Sequence, residues 1–202
     1  MPKRRKAGAL QNRIALLHAV AHIELNAIDL AIDIAGRFGT DGGAGFIDDW
    51  LKVADDEAQH FMLLQARLKD MGASYGDLPA HDGLWEAAET TRNDVCARLA
   101  VAHMVLEARG LDVTPAMIER FQRNGDGASA AVLKRIYTDE IGHVETGSRW
   151  FSHFAAQRNR ERDDYWRELV STHFRGKLKR PFNHEAREMA EMPPALYEPL
   201  AD

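Results

Sequence analysis

Asp-Glu-x-x-His occurs twice in this chain, as Asp56-Glu57-Ala58-Gln59-His60 and Asp139-Glu140-Ile141-Gly142-His143. A lone glutamate, Glu24 or Glu107, stands 33 residues upstream of the Glu in each copy. On a helix, a Glu and a His three residues apart project from one face. Two such halves offer four carboxylates and two imidazoles to one buried point, the ligand set that carboxylate-bridged metal pairs take in four-helix bundles. A single Glu-x-x-His is weak evidence, because a lone His is more often a surface residue or a satisfied core residue. Two copies with an equally spaced upstream Glu, each in a strongly helical stretch, are much harder to obtain by accident.

Four ionised glutamates on the core seam of a helical protein carry a desolvation penalty of several kcal/mol each. A metal pair removes the conflict: two ferrous ions balance four glutamates with both histidines neutral, and two ferric ions with a bridging oxide balance them again. Hard oxygen donors with one imidazole per metal suit iron or manganese. The expected cofactor is therefore two iron ions or an iron/manganese pair. Glu24 and His60 would hold one metal, Glu107 and His143 the other, and Glu57 and Glu140 would bridge them.

Four further residues stand near these six in the helical register. Asp56 and Asp139 each lie about 100° around the helix from the neighbouring ligand Glu, and each can support a metal-bound His on an adjacent helix. Exposed aspartates are the plain alternative. His103, one turn before Glu107, is read as a hydrogen-bonded neighbour, with extra ligand and proton donor as alternatives. Tyr137 is an ordinary core tyrosine or a phenol turned toward the site. His18 and His22 fall off the Glu24 seam and read as flank or interface residues. Gly142 and Gly147 interrupt the ligand-bearing turn of their helix, leaving either a small cavity or a close helix–helix contact.

The elements that must position these groups are helical. A first helix is predicted over about Leu10 to Phe38, with Glu24 on its apolar seam, and the glycines from Gly39 to Gly45 end it. A second runs from about Phe46 to Gly72 with Glu57 and His60 facing inward. An irregular crossover follows to Gly83, around Tyr75-Gly76-Asp77-Leu78-Pro79. A third helix is expected from Leu84 to Arg109, stopped by Gly110, then a short one from Thr114-Pro115 to Gln122. The fourth long helix occupies Ala128 to Phe154, and a fifth about Arg162 to Phe174. The predicted class is all-α, a four-helix bundle over 1–157 with a crossover between helices 2 and 3. A C-terminal helical extension and tail over 158–202 packs on it.

Composition agrees with that class. The 202 residues are 45% hydrophobic and 28% charged, enough for a core of their own. A net charge of −5 argues against a general nucleic-acid binder, although basic runs occur at Lys3-Arg4-Arg5-Lys6 and between Arg175 and Arg180. Cys96 is the sole cysteine, so no intrachain disulfide forms and a reducing cytoplasm is the expected location. No apolar run approaches the roughly 20 residues needed to span a bilayer, so no membrane is expected as a partner.

With these residues in view the sequence resembles the ferritin-like superfamily, Glu24, Glu57-x-x-His60, Glu107 and Glu140-x-x-His143 matching its six metal ligands over roughly residues 10–155. More narrowly, His22-Ile23-Glu24-Leu25-Asn26-Ala27-Ile28-Asp29-Leu30, Glu107-Ala108-Arg109-Gly110-Leu111-Asp112 and Pro181-Phe182-Asn183 look like a bacterial ferritin-like family known as a domain of unknown function. The doubled motif is also similar to that of di-iron hydroxylases, among them a tRNA hydroxylase acting on methylthio-isopentenyl-adenosine. The resemblance implies O2 activation, an electron-donating reductase, and oxidation or hydroxylation of an unidentified small molecule or modified nucleoside. For a tRNA substrate, Arg175, Lys177, Lys179 and Arg180 are the expected phosphate contacts. The alternative is ferroxidase-type iron oxidation or detoxification, and a third reading makes the metals structural within an interaction module. A homodimer is expected.

Overall fold

A computed structural model describes residues 3–81 and 83–202. Side chains are described from Leu10 onward, so the basic run Lys3-Arg4-Arg5-Lys6 lies outside the described side chains. The chain is all-helical, and among the described residues the β-type pairing is an isolated bridge between Leu178 and Ala201.

Helix α1, Lys3–Asp70, is broken at Gly43, whose φ of 75° and ψ of −172° separate a first arm (3–42) from a second (44–70). That backbone conformation is open to glycine and strained for other residues. The two arms pack side by side, with Leu17, Val20 and Ala21 against Leu64 and Leu68. The sequence predicts a loop over Gly39–Gly45; helix instead persists on both sides of Gly43, and this residue carries the break. By length and composition the first arm also holds a window of mean hydropathy 1.4 that could cross a membrane, a property that buried core helices share. Half of that window is buried inside the protein.

Helix α2, Gly83–Thr90, is separated by a turn from α3, Val95–Arg98, whose N-cap Asp94 accepts from Cys96 N at 2.8 Å and Ala97 N at 3.1 Å. The predicted single helix from Leu84 is thus two. A π-helical segment, Leu99–Leu106, continues α3 directly into α4, Glu107–Arg123. Neither Gly110 nor Pro115 stops the rod, correcting the predicted boundary. Proline has no N–H, so the Leu111 carbonyl loses its helical donor. Asn183 Nδ2 donates to it instead at 3.2 Å.

Helix α5, Gly127–Gln157, is capped by Asp126, which also pairs with Arg13 at 2.7 Å and Arg67 at 2.9 Å and so joins both arms of α1 to the start of α5. Arg98, buried, donates to Thr91 Oγ1, the Ala88 carbonyl and Asp33, tying α2 and α3 to the first arm. After α6, Arg162–His173, come α7, His184–Met189, α8, Pro194–Tyr197, and a 3-10 turn, Glu198–Leu200.

The C-terminal segment shares its core with the rest: Trp166, Met192, Leu196 and Tyr197 lie in one buried cluster with Trp50, Met104, Val144 and Phe151. Arg187 and Asp112 form a buried bidentate pair at 2.8 and 2.7 Å, the guanidinium lying over Phe182 and Tyr197. Asn183 N also donates to Asp112 at 2.9 Å.

A polar layer divides the apolar interior. Along the second arm of α1, Trp50 and Val53 belong to one cluster, Leu64 and Leu68 to another, and Glu57 and His60 lie between. The first arm repeats this with Glu24 between Ala21 and Ala31, and α5 with Glu140 and His143 between Ile136 and Val144.

Candidate metal centre

The polar layer brings the two motifs face to face. His60 directs Nδ1 to Glu24 Oε2 at 3.0 Å, Glu57 Oε2 at 3.4 Å and Glu140 Oε1 at 3.8 Å. His143 directs Nδ1 to Glu57 Oε1 at 3.0 Å and Glu140 Oε1 at 3.6 Å. Glu57 and Glu140 therefore each face both imidazoles, whose centroids are 5.7 Å apart. Glu24, Glu57, His60 and Glu140 each place a ligand atom within 4.8 Å of the others, close enough to surround a metal ion.

The aspartate of each motif stands behind the imidazole of the other, with a hydrogen bond at His60 and none at His143 Nε2. Asp139 Oδ2 lies 3.1 Å from His60 Nε2, and Asp56 Oδ2 lies 3.5 Å from His143 Nε2. The Asp139 contact fixes which nitrogen of His60 faces the carboxylates. Arg135, one turn before Asp139, donates Nε to its Oδ2 at 2.5 Å. Sequence reasoning passed over Arg135; its i,i+4 spacing to Asp139 was the available signal.

Glu107 lies outside the four-residue group. Its Oε1 accepts from His103 Nδ1 at 2.7 Å, and its Oε2 is buried with no hydrogen-bond partner. It is near enough to the others for the Glu57 charge to act on it. His103 stands in the π segment against Trp50, at 4.2 Å between ring centroids. The π segment, a feature that recurs at functional sites, was not read from the sequence because its residues are an ordinary apolar run.

Tyr137 faces elsewhere. Its hydroxyl accepts from Asn183 Nδ2 at 2.9 Å, and it packs on the core beside the C-terminal segment. His18 and His22 hold the connection after α1: His18 Nε2 accepts from Gly76 N at 2.9 Å, and His22 Nδ1 lies 2.9 Å from Tyr75 Oη. Gly147 packs against the π segment, since a Cβ there would stand 3.2 Å from His103 Cβ and 3.3 Å from its carbonyl oxygen. Gly142 opens instead onto a cleft of about 390 Å³ that also exposes Asp56, Asp139 and His143.

The electrostatics of the ion-free site show how strongly it retains protons. Burial, then the Glu57 charge, pushes Glu24 and Glu107 well above the usual carboxylate range, and the same causes push Glu140 up to about 7. Burial opposes ionisation of Glu57 too, but the facing His143 and His60 outweigh it and bring its pKa down to about 2. Against their own burial, Glu24 and Glu57 raise His60 to about 10, and Glu140 and Glu57 raise His143 well above its ordinary value. His103 is driven down to about 3 by burial and then by Arg98, and is neutral. Protons that neutralise the glutamates and charge His60 and His143 thus offset the buried negative charge.

The donor set fits metal ions. It consists of carboxylate oxygens and imidazole nitrogens with no thiolate, donors that suit divalent cations. Glu57 Oε2 and Glu107 Oε2 are buried acceptors without hydrogen-bond donors, which is costly unless a cation completes them.

An uncharacterised protein of Haemophilus influenzae is 42% identical over 182 residues, an alignment covering 87% of this chain and 63% of the relative. The chain therefore spans less than two thirds of that protein's length. No solved structure matches it. The family model described as Protein of unknown function (DUF455) matches residues 1–198, almost the whole sequence and every residue of the polar layer, and the chain belongs to that family.

Proposed function

We propose that this protein is a ferritin-like oxidoreductase in which Glu24, Glu57, His60, Glu107, Glu140 and His143 hold two iron ions, or an iron and a manganese. It uses O2 to oxidise or hydroxylate a small molecule. In this reading the two arms of α1, the rod from α3 through α4, and α5 are the four helices of the bundle, with residues 71–81 in the crossover. The observation that carries it is the paired exchange of the motifs: Glu57 and Glu140 each face both histidines, and Asp139 and Asp56 each lie behind the histidine of the other motif. A structural metal site needs no such duplication of bridging carboxylates.

When bound, a metal pair supplies the electrons that reduce O2. The chain's own residues do the rest. Asp139 holds Nε2–H of His60 so that Nδ1 is presented inward, and Asp56 stands behind Nε2 of His143. His103, neutral, donates Nδ1–H to Glu107 and orients it. The apolar clusters on either side exclude water from the layer. A separate reductase would replenish those electrons. A small molecule is favoured over tRNA because Lys177 and Arg180 of the basic tail are already paired with Asp202 and Glu198.

Ferrous iron as the substrate is the second reading, favoured by the cleft over the centre, where Asp49, Asp56, Asp139 and Glu145 outnumber Lys52 and Arg149. Metal content per chain is the deciding measurement, by elemental mass spectrometry on protein purified without a metal-affinity column. Two irons, or one iron and one manganese, support the proposal; empty protein or a lone zinc overturns it. Stopped-flow O2 consumption with excess ferrous iron then separates the readings, since a ferroxidase turns over on iron alone.

A further inference from the structure

Beside the centre, α5 and the second arm of α1 enclose a groove of about 660 Å³, within the range of small-molecule sites. Its sides are apolar: Met62, Leu63 and Ala66 from α1, Ala131 and Val132 from α5. Met62 is 58% exposed and Leu63 41%, so two large apolar side chains stand next to each other in water. His60, otherwise buried, reaches the groove wall. Arg135 lines it as well, with Nε engaged by Asp139 while neither Nη has a partner among the described residues.

We propose that this groove binds the organic substrate of the centre, and that the substrate is a single-chain amphiphile with an anionic head, its head on Arg135 and its alkyl tail along Met62, Leu63 and Val132 beside His60. The inference rests on the di-metal reading for the word substrate; the binding site stands on the groove alone. The planar edge of a guanidinium matches an anionic oxygen pair. An alkyl chain covers the exposed apolar side chains, which a polar solute would leave wet. A cationic amphiphile is repelled by Arg135, and a neutral one leaves its Nη groups unused. A second copy of this chain is a weaker occupant, because eight lining residues offer far less than the roughly 800 Å² per partner of a stable interface.

The test titrates laurate, dodecanol and dodecyltrimethylammonium, below their aggregation concentrations, into the full chain by displacement of a fluorescent fatty acid. Metal content and sedimentation are measured on the same samples. Laurate is expected to bind one per chain, at least tenfold more tightly than dodecanol, with the cation weakest. Arg135→Gln should reduce laurate affinity to that of dodecanol. Ala66→Trp and, independently, Val132→Trp should fill the groove and abolish binding of both while leaving the thermal melt in place. No laurate binding, or an unchanged affinity in Arg135→Gln, overturns the proposal. So does a dimer that Ala66→Trp dissociates in the absence of any laurate binding. Metal without laurate binding defeats this inference alone, and laurate binding without metal defeats the oxidoreductase reading alone.

Discussion

Asp139 Oδ2 lies 3.1 Å from His60 Nε2 across 79 residues of sequence, so the aspartate of the second motif orients the histidine of the first. The reciprocal approach, Asp56 to His143 at 3.5 Å, is longer and leaves His143 Nε2 without a hydrogen bond. Removing this support should weaken the imidazole as a donor without deleting a ligand. Asp139→Asn is expected to lower metal affinity by about 10–100-fold while leaving the number of ions bound at saturation unchanged. Competition against a chelator of known affinity checks both quantities, and a changed stoichiometry would mean that Asp139 is itself a ligand.

Glu57 faces both histidines, and removing it strips a donor from each side. Glu57→Ala should abolish paired binding, leaving at most one ion per chain by elemental mass spectrometry. Retention of two ions would show the ligand assignment to be wrong.

Protonation of the ion-free site predicts an unusual pH dependence. His60 titrates near 10 in the folded chain against an ordinary 6.5, and His143 is raised as well. Between pH 6.5 and 10 the folded state therefore holds protons that the unfolded state has released, and stability falls as pH rises. The slope is on the order of 1 kcal/mol per pH unit for each such proton. Urea denaturation of chelator-treated protein at pH 6.5 and 9 should show that loss. Metal-loaded protein should not, because ions displace those protons. By the same linkage, metal uptake should release protons and tighten with rising pH.

Gly142 and Gly147 of α5 should respond oppositely to alanine. At Gly147 the new methyl would press on Cβ and the backbone oxygen of His103, neither of them the free end of a flexible side chain, and about 1–3 kcal/mol should be lost. At Gly142 a Cβ meets nothing within 4 Å, so Gly142→Ala should stabilise by up to about 1 kcal/mol. Thermal melts of the two variants decide the comparison.

Asn183 stands in for the donor that Pro115 lacks, which predicts a coupling between residues 68 apart. Asn183→Ala should destabilise the native chain by about 1–3 kcal/mol. In a Pro115→Ala background, where the Leu111 carbonyl regains a helical donor, the loss should shrink by about 1 kcal/mol. A double-mutant cycle in urea measures the difference, and strict additivity would exclude the substitution of one donor by the other.

Much of the polar layer was legible because helical periodicity is local. Glu57 and His60 share a face by virtue of being three residues apart, and the apolar residues flanking them mark that face as inward. The boundaries that misled had equally local signals: Gly110 read as a stop, Thr114-Pro115 as the start of a new helix, and Gly39–Gly45 as the end of the first. They were overruled by non-local partners, Asn183 for the helix through Pro115 and the packing of the two arms for the residues around Gly43. Tyr137 illustrates the same limit. It lies one turn from Glu140, yet its hydroxyl is taken by Asn183 on a segment whose position no spacing reveals.

By itself the sequence determined the all-helical class, the six acidic and imidazole side chains that share inward faces, and their doubled order. These follow from backbone hydrogen bonding and side-chain period, which act within a few residues. Tertiary structure alone decided that Asp139 serves His60 rather than its own motif's histidine, that Glu107 is held by His103 at the edge of the group, and that Arg135 borders an apolar groove. Each of these depends on the rotation and offset of one helix against another. Packing of the whole core sets those quantities, and no segment encodes them alone.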